Sequence, residues 1–237
     1  MPLSLDRQNA YRRRYAALRP GWRPATEQYE ALIRQYLRPG MRVVDLGCGR
    51  GGVLEQLGPA ADRPLGLDPD LRSLVEHRLP DLPRAVASAD AIPLPAASVD
   101  LALSSWVLEH LPDPARTFRE VARILRPGGA FLFVAPSAHS PAALLNRALH
   151  PLQARLVPRL YGREESDAFP VMYRANTRRQ IEALARAAGL ECRAFHHVED
   201  PTYFAFHPLI FRLNAALVRA LPRGMYEHIV AAYAKPE

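Results

Sequence analysis

Val43-Val44-Asp45-Leu46-Gly47-Cys48-Gly49-Arg50-Gly51-Gly52 decides how the rest of the chain is read. An apolar pair leads into an acid, a leucine and a run rich in glycine. The pattern predicts a short buried strand, a tight turn and a helix over 53–57. Glycine lets the backbone turn sharply and lets a ligand approach with no Cβ in the way. At the carboxyl end of a parallel strand, such a turn faces a nucleotide-like ligand. Gly47-x-Gly49-x-x-Gly52 satisfies the dinucleotide fingerprint, in which a helix N-terminus holds a pyrophosphate. Asp45 argues otherwise, because an acid beside the turn repels a pyrophosphate and suits an ammonium or sulfonium group.

Outward from this stretch, apolar residues recur at helical spacing over 26–37 (Tyr29, Leu32, Ile33, Tyr36, Leu37), and Pro39-Gly40 ends the run. Residues 9–18 predict a further helix, with Tyr11 and Tyr15 on an aromatic face and Arg12 to Arg14 on a basic one. It is either a surface helix packed on the main domain or a cap that brings Tyr11, Tyr15 and Trp22 near a substrate. Downstream, 63–67 reads as the second strand and ends in Asp68-Pro69-Asp70. Asp68 stands 21 positions after Gly47, where a carboxylate can accept both hydroxyls of a ribose. A third strand over 84–88 precedes Ala89-Asp90-Ala91-Ile92-Pro93-Leu94-Pro95, and a fourth covers 99–105. A helix over 115–125, the turn Arg126-Pro127-Gly128-Gly129 and a fifth strand over 130–135 complete this half.

These four signals, in this order and over about 42–136, resemble the motifs of the class I S-adenosylmethionine-dependent methyltransferases. Within that class the chain is similar to the broad type-11 family of small-molecule methyltransferases. The resemblance implies an α/β fold: a Rossmann-like seven-stranded sheet, mostly parallel with the last strand antiparallel, helices on both faces and lid insertions. It implies S-adenosylmethionine as cofactor. Asp45, Gly47, Cys48 and Gly49 would hold its amino-acid end, and Asp68 and Pro69 its ribose. Asp90 would accept from the adenine amino group, the Ala91 backbone N–H would donate to the ring, and Ser105 and Trp106 would complete the site.

The expected organisation is a single domain over 1–237. Cap helices span 1–40 and the cofactor core 41–136. Lid insertions span 137–176 and 200–224, and the C-terminal core 177–199 and 225–237. The first insertion carries leucines with arginines interleaved (Leu144, Leu145, Leu149, Leu152, Leu156 and Leu160; Arg147, Arg155, Arg159 and Arg163). Thr177 is the predicted N-cap of a helix over 178–188 that Gly189 stops. A sixth strand over 190–198, a helix over 209–221 and a last strand over 226–233 follow.

Methyl transfer is an in-line displacement, favoured by holding the reacting atoms in line. A hydroxyl or neutral amine must also lose a proton, and a histidine suits that task. His110, just after the fourth strand, is the candidate base; a structural or pocket-lining role is the alternative. Some quinone O-methyltransferases of this group carry a Glu-x-x-Glu-His metal site. Glu109 and His110 match its last two members, but Trp106 replaces the first acid. An indole cannot ligate a hard cation, so no metal is expected. Tyr173, Arg174 and Tyr203 are the remaining substrate-site candidates. Arg174 is either an anion fork or half of an ion pair.

Hydrophobic residues make up 49% of the 237, and the formal charge is +7, almost all from arginine, with Lys235 the lone lysine. Such a balance accompanies anionic partners or simply a GC-rich genome. Two cysteines make no disulfide framework. Neither a signal-peptide core nor a membrane-length apolar run is evident. The expectation is a cytoplasmic enzyme with a small-molecule acceptor, O-methylation favoured, on a sugar, lipid-linked or natural-product compound. No nucleic-acid partner is expected: Ser104-Ser105-Trp106-Val107 stands where base-modifying enzymes carry Asn-Pro-Pro-Tyr. The basic amphipathic pattern of 209–221 keeps open a peripheral contact at the inner membrane face and a lipid or isoprenoid acceptor. The oligomeric state is open.

Overall fold

The computed structural model describes residues 5–61, 63–148 and 171–237. Its strands are β1 (Arg42–Leu46), β2 (Arg63–Asp68), β3 (Arg84–Val86), β4 (Val99–Ser105), β5 (Leu125–Pro136), β6 (Glu191–Val198) and β7 (His228–Ala234). They form one sheet in the order β3-β2-β1-β4-β5-β7-β6. Strands β1 to β5 pair in parallel, and β7 runs antiparallel to both β5 and β6. Because β7 is reversed, its first residue, His228, pairs with the last residues of β5 and β6, Pro136 and Val198. His228 therefore stands at the same sheet edge as the glycine turn.

The helices are α1 (Leu5–Leu18), α2 (Ala25–Tyr36), α3 (Val53–Leu57), α4 (Leu71–Val75), α5 (Pro114–Ile124), α6 (Pro141–Ala148), α7 (Arg178–Ala187) and α8 (Pro208–Leu217). Side chains alternate across a strand, and both faces of this sheet are covered. Val44, Leu46, Ala102, Phe131 and Phe133 meet Phe118 and Val121 of α5 and Ile181 of α7. Val43, Leu101, Leu103, Leu132 and Val134 meet Tyr29, Leu32 and Ile33 of α2 and Leu54 of α3. Burial on both faces is why these strands read as continuous apolar runs. Each large side chain so buried stabilises the fold by roughly 1.5–3 kcal/mol.

A third cluster lies apart from the sheet. Tyr11, Tyr15 and Trp22 pack with Ala205, Phe211, Ala215, Val218 and Tyr226, which joins α1 to the second insertion.

Several boundaries differ from the sequence expectation. Arg126-Pro127-Gly128-Gly129 does not end before β5 but is absorbed into it. The register with β4 jumps from Val99↔Leu125 to Leu101↔Ala130, so these residues form an irregularity inside the strand. Gly129 is required there, since a Cβ would lie 2.9 Å from the Arg126 carbonyl oxygen and 3.0 Å from that of Asp100. Helix α4, which the sequence predicts over 71–79, stops at Val75, and the His77 side chain then accepts the Leu79 N–H as the chain turns. Helix α8 ends at Leu217 and gives way to a 3₁₀ turn, Val218–Ala220. Thr177 caps α7 through a reciprocal box with Gln180, and Gly189 follows with φ of 75°. The leucines and arginines expected at 149, 152, 155, 156, 159, 160 and 163 lie outside the described residues.

Tyr29 ties α2 to the centre of the sheet. Its hydroxyl donates to the Leu132 carbonyl of β5 (3.1 Å) and accepts the Ser104 N–H of β4 (3.0 Å), fully buried. A Tyr29→Phe substitution keeps the ring and strands both backbone groups. The expected loss is about 1–3 kcal/mol of unfolding free energy, read from urea titration.

Candidate functional site

The glycine turn is pinned to the end of β2. The Gly47 and Cys48 N–H groups both donate to the Leu67 carbonyl (2.7 and 3.1 Å). The Gly49 N–H donates to Asp68 Oδ2 and the Asp70 N–H to Asp68 Oδ1, each at 2.8 Å. One carboxylate thus fixes two loops against each other, and each of its oxygens retains a further lone pair. Pro69 lies between these two fixed points. Gly47 has φ of 75°, and a Cβ there would sit 2.3 Å from Cγ2 of Val107, so only glycine lets the exit of β4 close on the turn. Cys48 is buried against Gly66, where a Cβ would lie 2.7 Å from its sulfur; burial pushes its thiol up to about 12. A packing role follows for Cys48, not a nucleophilic one.

Asp45 is the anomaly. It is buried, and one carboxylate oxygen has no hydrogen-bond partner among the described residues. Burial first, and then the charge of Asp68, raise it from the ordinary carboxylate range to about 7. A buried anion without a counter-charge is costly. A cationic group bound at this turn would relieve that cost, so the donor set fits an ammonium or sulfonium and repels a phosphate.

At the end of β3 the geometry corrects one expectation. The Ala91 N–H is already committed to the Ser88 carbonyl (3.0 Å), which closes a turn, so it does not point outward as a donor. Asp90 is held by the Ser88 hydroxyl at 2.5 Å. The neighbouring Ile92 N–H is taken by Glu120 at 3.0 Å.

Beyond β4 the edge changes character. Ser105 is half-buried at the strand's end, and Trp106 follows with φ of 60°, a left-handed conformation rare for an aromatic residue. Its N–H donates to Val134 of β5 (2.9 Å), and its ring meets that of His228 edge-on at 5.0 Å. His110 is partly exposed, with Nε2 3.8 Å from Oε1 of Glu109. Glu109 is buried, its Oε2 has no partner among the described residues, and burial raises it to about 7. The Glu109 carbonyl accepts the Met172 N–H at 2.7 Å, which draws Tyr173 over this segment. The Tyr173 ring lies under the Arg147 guanidinium at 5.6 Å. Arg174 is exposed and donates to the Pro112 carbonyl at 2.6 Å. No cluster of three or more His, Cys, Asp or Glu suited to a metal occurs among the described residues.

The remaining predicted substrate residues divide. Tyr203 joins the sheet edge, its hydroxyl 3.0 Å from Nε2 of His228. Burial lowers His228 to about 4, so its imidazole is neutral near pH 7. Tyr11, Tyr15 and Trp22 lie instead in the α1 cluster. Tyr15 and Trp22 donate to the Glu199 carboxylate and carbonyl, both at 2.9 Å, and Tyr11 packs on Phe211 at 4.6 Å. His228, Glu199, Asp200 and Glu227 were invisible in the sequence. Each is isolated in it, and only the reversal of β7 gathers them.

The glycine turn, the carboxylates Asp45 and Asp68, and the reversed seventh strand form the arrangement that the resemblance to class I S-adenosylmethionine-dependent methyltransferases implies. The methyltransferase domain model of the type-11 family matches residues 44–133. A probable S-adenosylmethionine-dependent methyltransferase of Mycolicibacterium smegmatis is 35% identical over 118 residues, 49% of this chain and 46% of the relative. The ubiquinone biosynthesis O-methyltransferase of Bordetella bronchiseptica is 31% identical over 159 residues, 64% of this chain and 63% of that one. The chain thus spans from about half to under two thirds of the length of these relatives. A chain from the complex of the Haloferax volcanii Trm112 methyltransferase activator with a methyltransferase shares the fold. Its TM-score is 0.63 at 24% identity, over 98% of this chain and 95% of that one.

A cation bound against Asp45 should bind in a pH-dependent way. Below about 7 the free protein holds a proton on Asp45. Its folded pKa is raised, so the folded state binds more protons than the unfolded one, and this group's contribution to stability falls as pH rises from about 4 to 7. Binding of a cation runs the other way. Affinity for S-adenosylhomocysteine, which carries an ammonium, should rise by up to about tenfold per pH unit below 7 and level off above it. Calorimetry at pH 6, 7 and 8 checks this, and Asp45→Asn should flatten the slope.

Proposed function

We propose that this protein transfers a methyl group from S-adenosylmethionine to a small-molecule acceptor, with a hydroxyl as the favoured nucleophile. One observation carries the reading: the buried, unpaired Asp45 carboxylate beside Asp68 at a turn only glycine can make. S-adenosylmethionine supplies a methyl on a cationic sulfur. Asp45 with the Gly47–Gly49 turn would hold its charged end, Asp68 its ribose, and Asp90 its adenine.

His110 would take the acceptor's proton. It is exposed enough to meet a substrate, and the buried Glu109 stands beside it. Trp106, Tyr173 and Tyr203 would form the acceptor walls, with Arg174 at the rim. Tyr11, Tyr15 and Trp22 then act by fixing the cap rather than by touching substrate. In this reading 1–237 works as one domain in the cytoplasm, on a sugar, lipid-linked or natural-product compound. The O-methyltransferase name of the Bordetella relative supports the choice of oxygen.

A second reading is a lipid or isoprenoid acceptor met at the inner membrane face. No helix among the described residues is long and apolar enough to cross a membrane. What favours this reading is α8, which turns Leu209, Ile210, Leu213 and Leu217 to solvent.

Calorimetry should show binding of S-adenosylhomocysteine and none of NADH; the reverse would make the protein an oxidoreductase. Asp68→Ala should weaken S-adenosylhomocysteine about 10–100-fold, the equivalent of one or two charge-assisted hydrogen bonds. Once a mass screen finds an acceptor that gains one CH₂, His110→Ala should lower turnover by about 10²-fold or more. A variant with unchanged turnover removes the base role.

A further inference from the structure

Helix α8 is anchored on one side and bare on the other. Phe211 and Ala215 are buried in the α1 cluster, and the Asn214 side chain donates to the Pro201 carbonyl at 2.8 Å. The opposite side exposes Leu209 (66%), Ile210 (47%), Leu213 (62%) and Leu217 (55%). Those four positions fall on one stripe of a helix. Arg212 and Arg219 are exposed along one flank of it, and Arg223 follows just beyond.

The arginines around this stripe lack acidic partners among the described residues. Arg34, Arg50, Arg72, Arg78, Arg123, Arg126, Arg178 and Arg193 each face a carboxylate within ion-pair distance. Among the described residues, no ion pair includes Arg212, Arg219 or Arg223. The sequence between Asp200 and Glu227 contains no acid at all. These three arginines therefore stand beside the apolar stripe with neither an ion pair among the described residues nor an acid in their own segment to offset them.

We infer that α8 docks on an anionic lipid bilayer, with Leu209, Ile210, Leu213 and Leu217 in the interface and Arg212, Arg219 and Arg223 on the headgroups. An interfacial helix needs an apolar face for the acyl boundary and arginines for anionic lipid, and α8 with the turns that follow it has both. A second copy of this chain suits the face poorly. An isologous contact sets the same patch against itself, which would bring these arginines together with no acid to separate them. The docking also has a direction. Pro201, which α8 holds, begins the turn that carries Tyr203, and Tyr203 bonds His228 at the sheet edge. A bilayer under α8 would therefore lie beside the acceptor walls. That last step rests on the methyltransferase reading; the docking itself does not.

The test is co-sedimentation of the full chain with vesicles of phosphatidylglycerol or of phosphatidylcholine, alongside calorimetry with S-adenosylhomocysteine. Each arginine near an anionic surface favours binding by roughly fivefold, so three should give on the order of a hundredfold preference for phosphatidylglycerol, reduced by salt. Arg212→Gln with Arg219→Gln should remove most of that preference. Leu213→Gln with Leu217→Gln should abolish sedimentation. Both pairs lie on exposed positions and should leave S-adenosylhomocysteine binding intact. Wild-type protein that binds S-adenosylhomocysteine but ignores phosphatidylglycerol overturns the docking and leaves the enzymatic reading standing. Protein that sediments but does not bind S-adenosylhomocysteine does the reverse. Equal sedimentation of the variants overturns the placement on α8, as does a dimer in light scattering that Leu213→Gln dissociates without any vesicle binding.

Discussion

A carboxylate buried without a counter-charge is the constraint on which this molecule turns. Asp45 sits in the middle of a sheet sealed by helices on both faces, beside a second carboxylate, Asp68, that is itself buried. Left alone, such a pair favours protonation, and burial with mutual repulsion does push Asp45 up to about 7. The fold tolerates the arrangement because the apolar clusters on either side supply the stability that Asp45 forgoes. Local rules broken at one point and respected around it are what a binding site looks like in a folded chain. The glycine turn shows the same division. Gly47 and Gly49 take left-handed angles that side chains rarely adopt, on either side of the buried Cys48.

The sheet edge has two chemical halves. Over β1 and β2 it offers carboxylates and backbone. Over β4, β5 and β7 it offers Trp106, His110, Tyr203 and a neutral His228. The proposed methyl transfer would use that separation, since a base placed among the acids would be held protonated by them. Glu109 lies at the boundary. It is buried and raised to about 7 by that burial, so near neutral pH it carries only part of a negative charge beside His110.

How much of this could be read from the sequence depended on distance along the chain. The succession of strands and helices, the glycine turn and the cap at Thr177 are local patterns, and each was legible. The fate of the Ala91 N–H was not, because a turn closed by Ser88 looks the same in sequence as an open loop. Tyr11, Tyr15 and Trp22 were legible as an aromatic face but not as to what that face meets. Their partners, Phe211, Val218 and Tyr226, come some 200 positions later, and nothing local to 9–22 points there. His228 is hidden for the same reason: its place follows from the reversal of β7, not from its neighbours in the chain.

That long-range cluster gives the cap its function. Arg12 forms a forked contact with Asp200 at 2.8 and 3.1 Å, and Arg19 meets Glu199 at 2.8 Å, with both acids buried. Buried ion pairs contribute little net stability compared with apolar packing, but breaking one partner is costly, so they fix a register more than they add strength. Apolar packing alone would let α1 slide along the second insertion. The paired guanidinium and carboxylate groups allow one position. Tyr15 adds a bond to the same Glu199, and Glu227 holds the Asp200 N–H from the start of the last strand. The cap, the turn that carries Tyr203 and the entrance to β7 are therefore one unit. Helix α8 is joined to that unit through Phe211 in the aromatic cluster and through Asn214 on the Pro201 carbonyl, so its buried side shares the anchoring that fixes the turn carrying Tyr203.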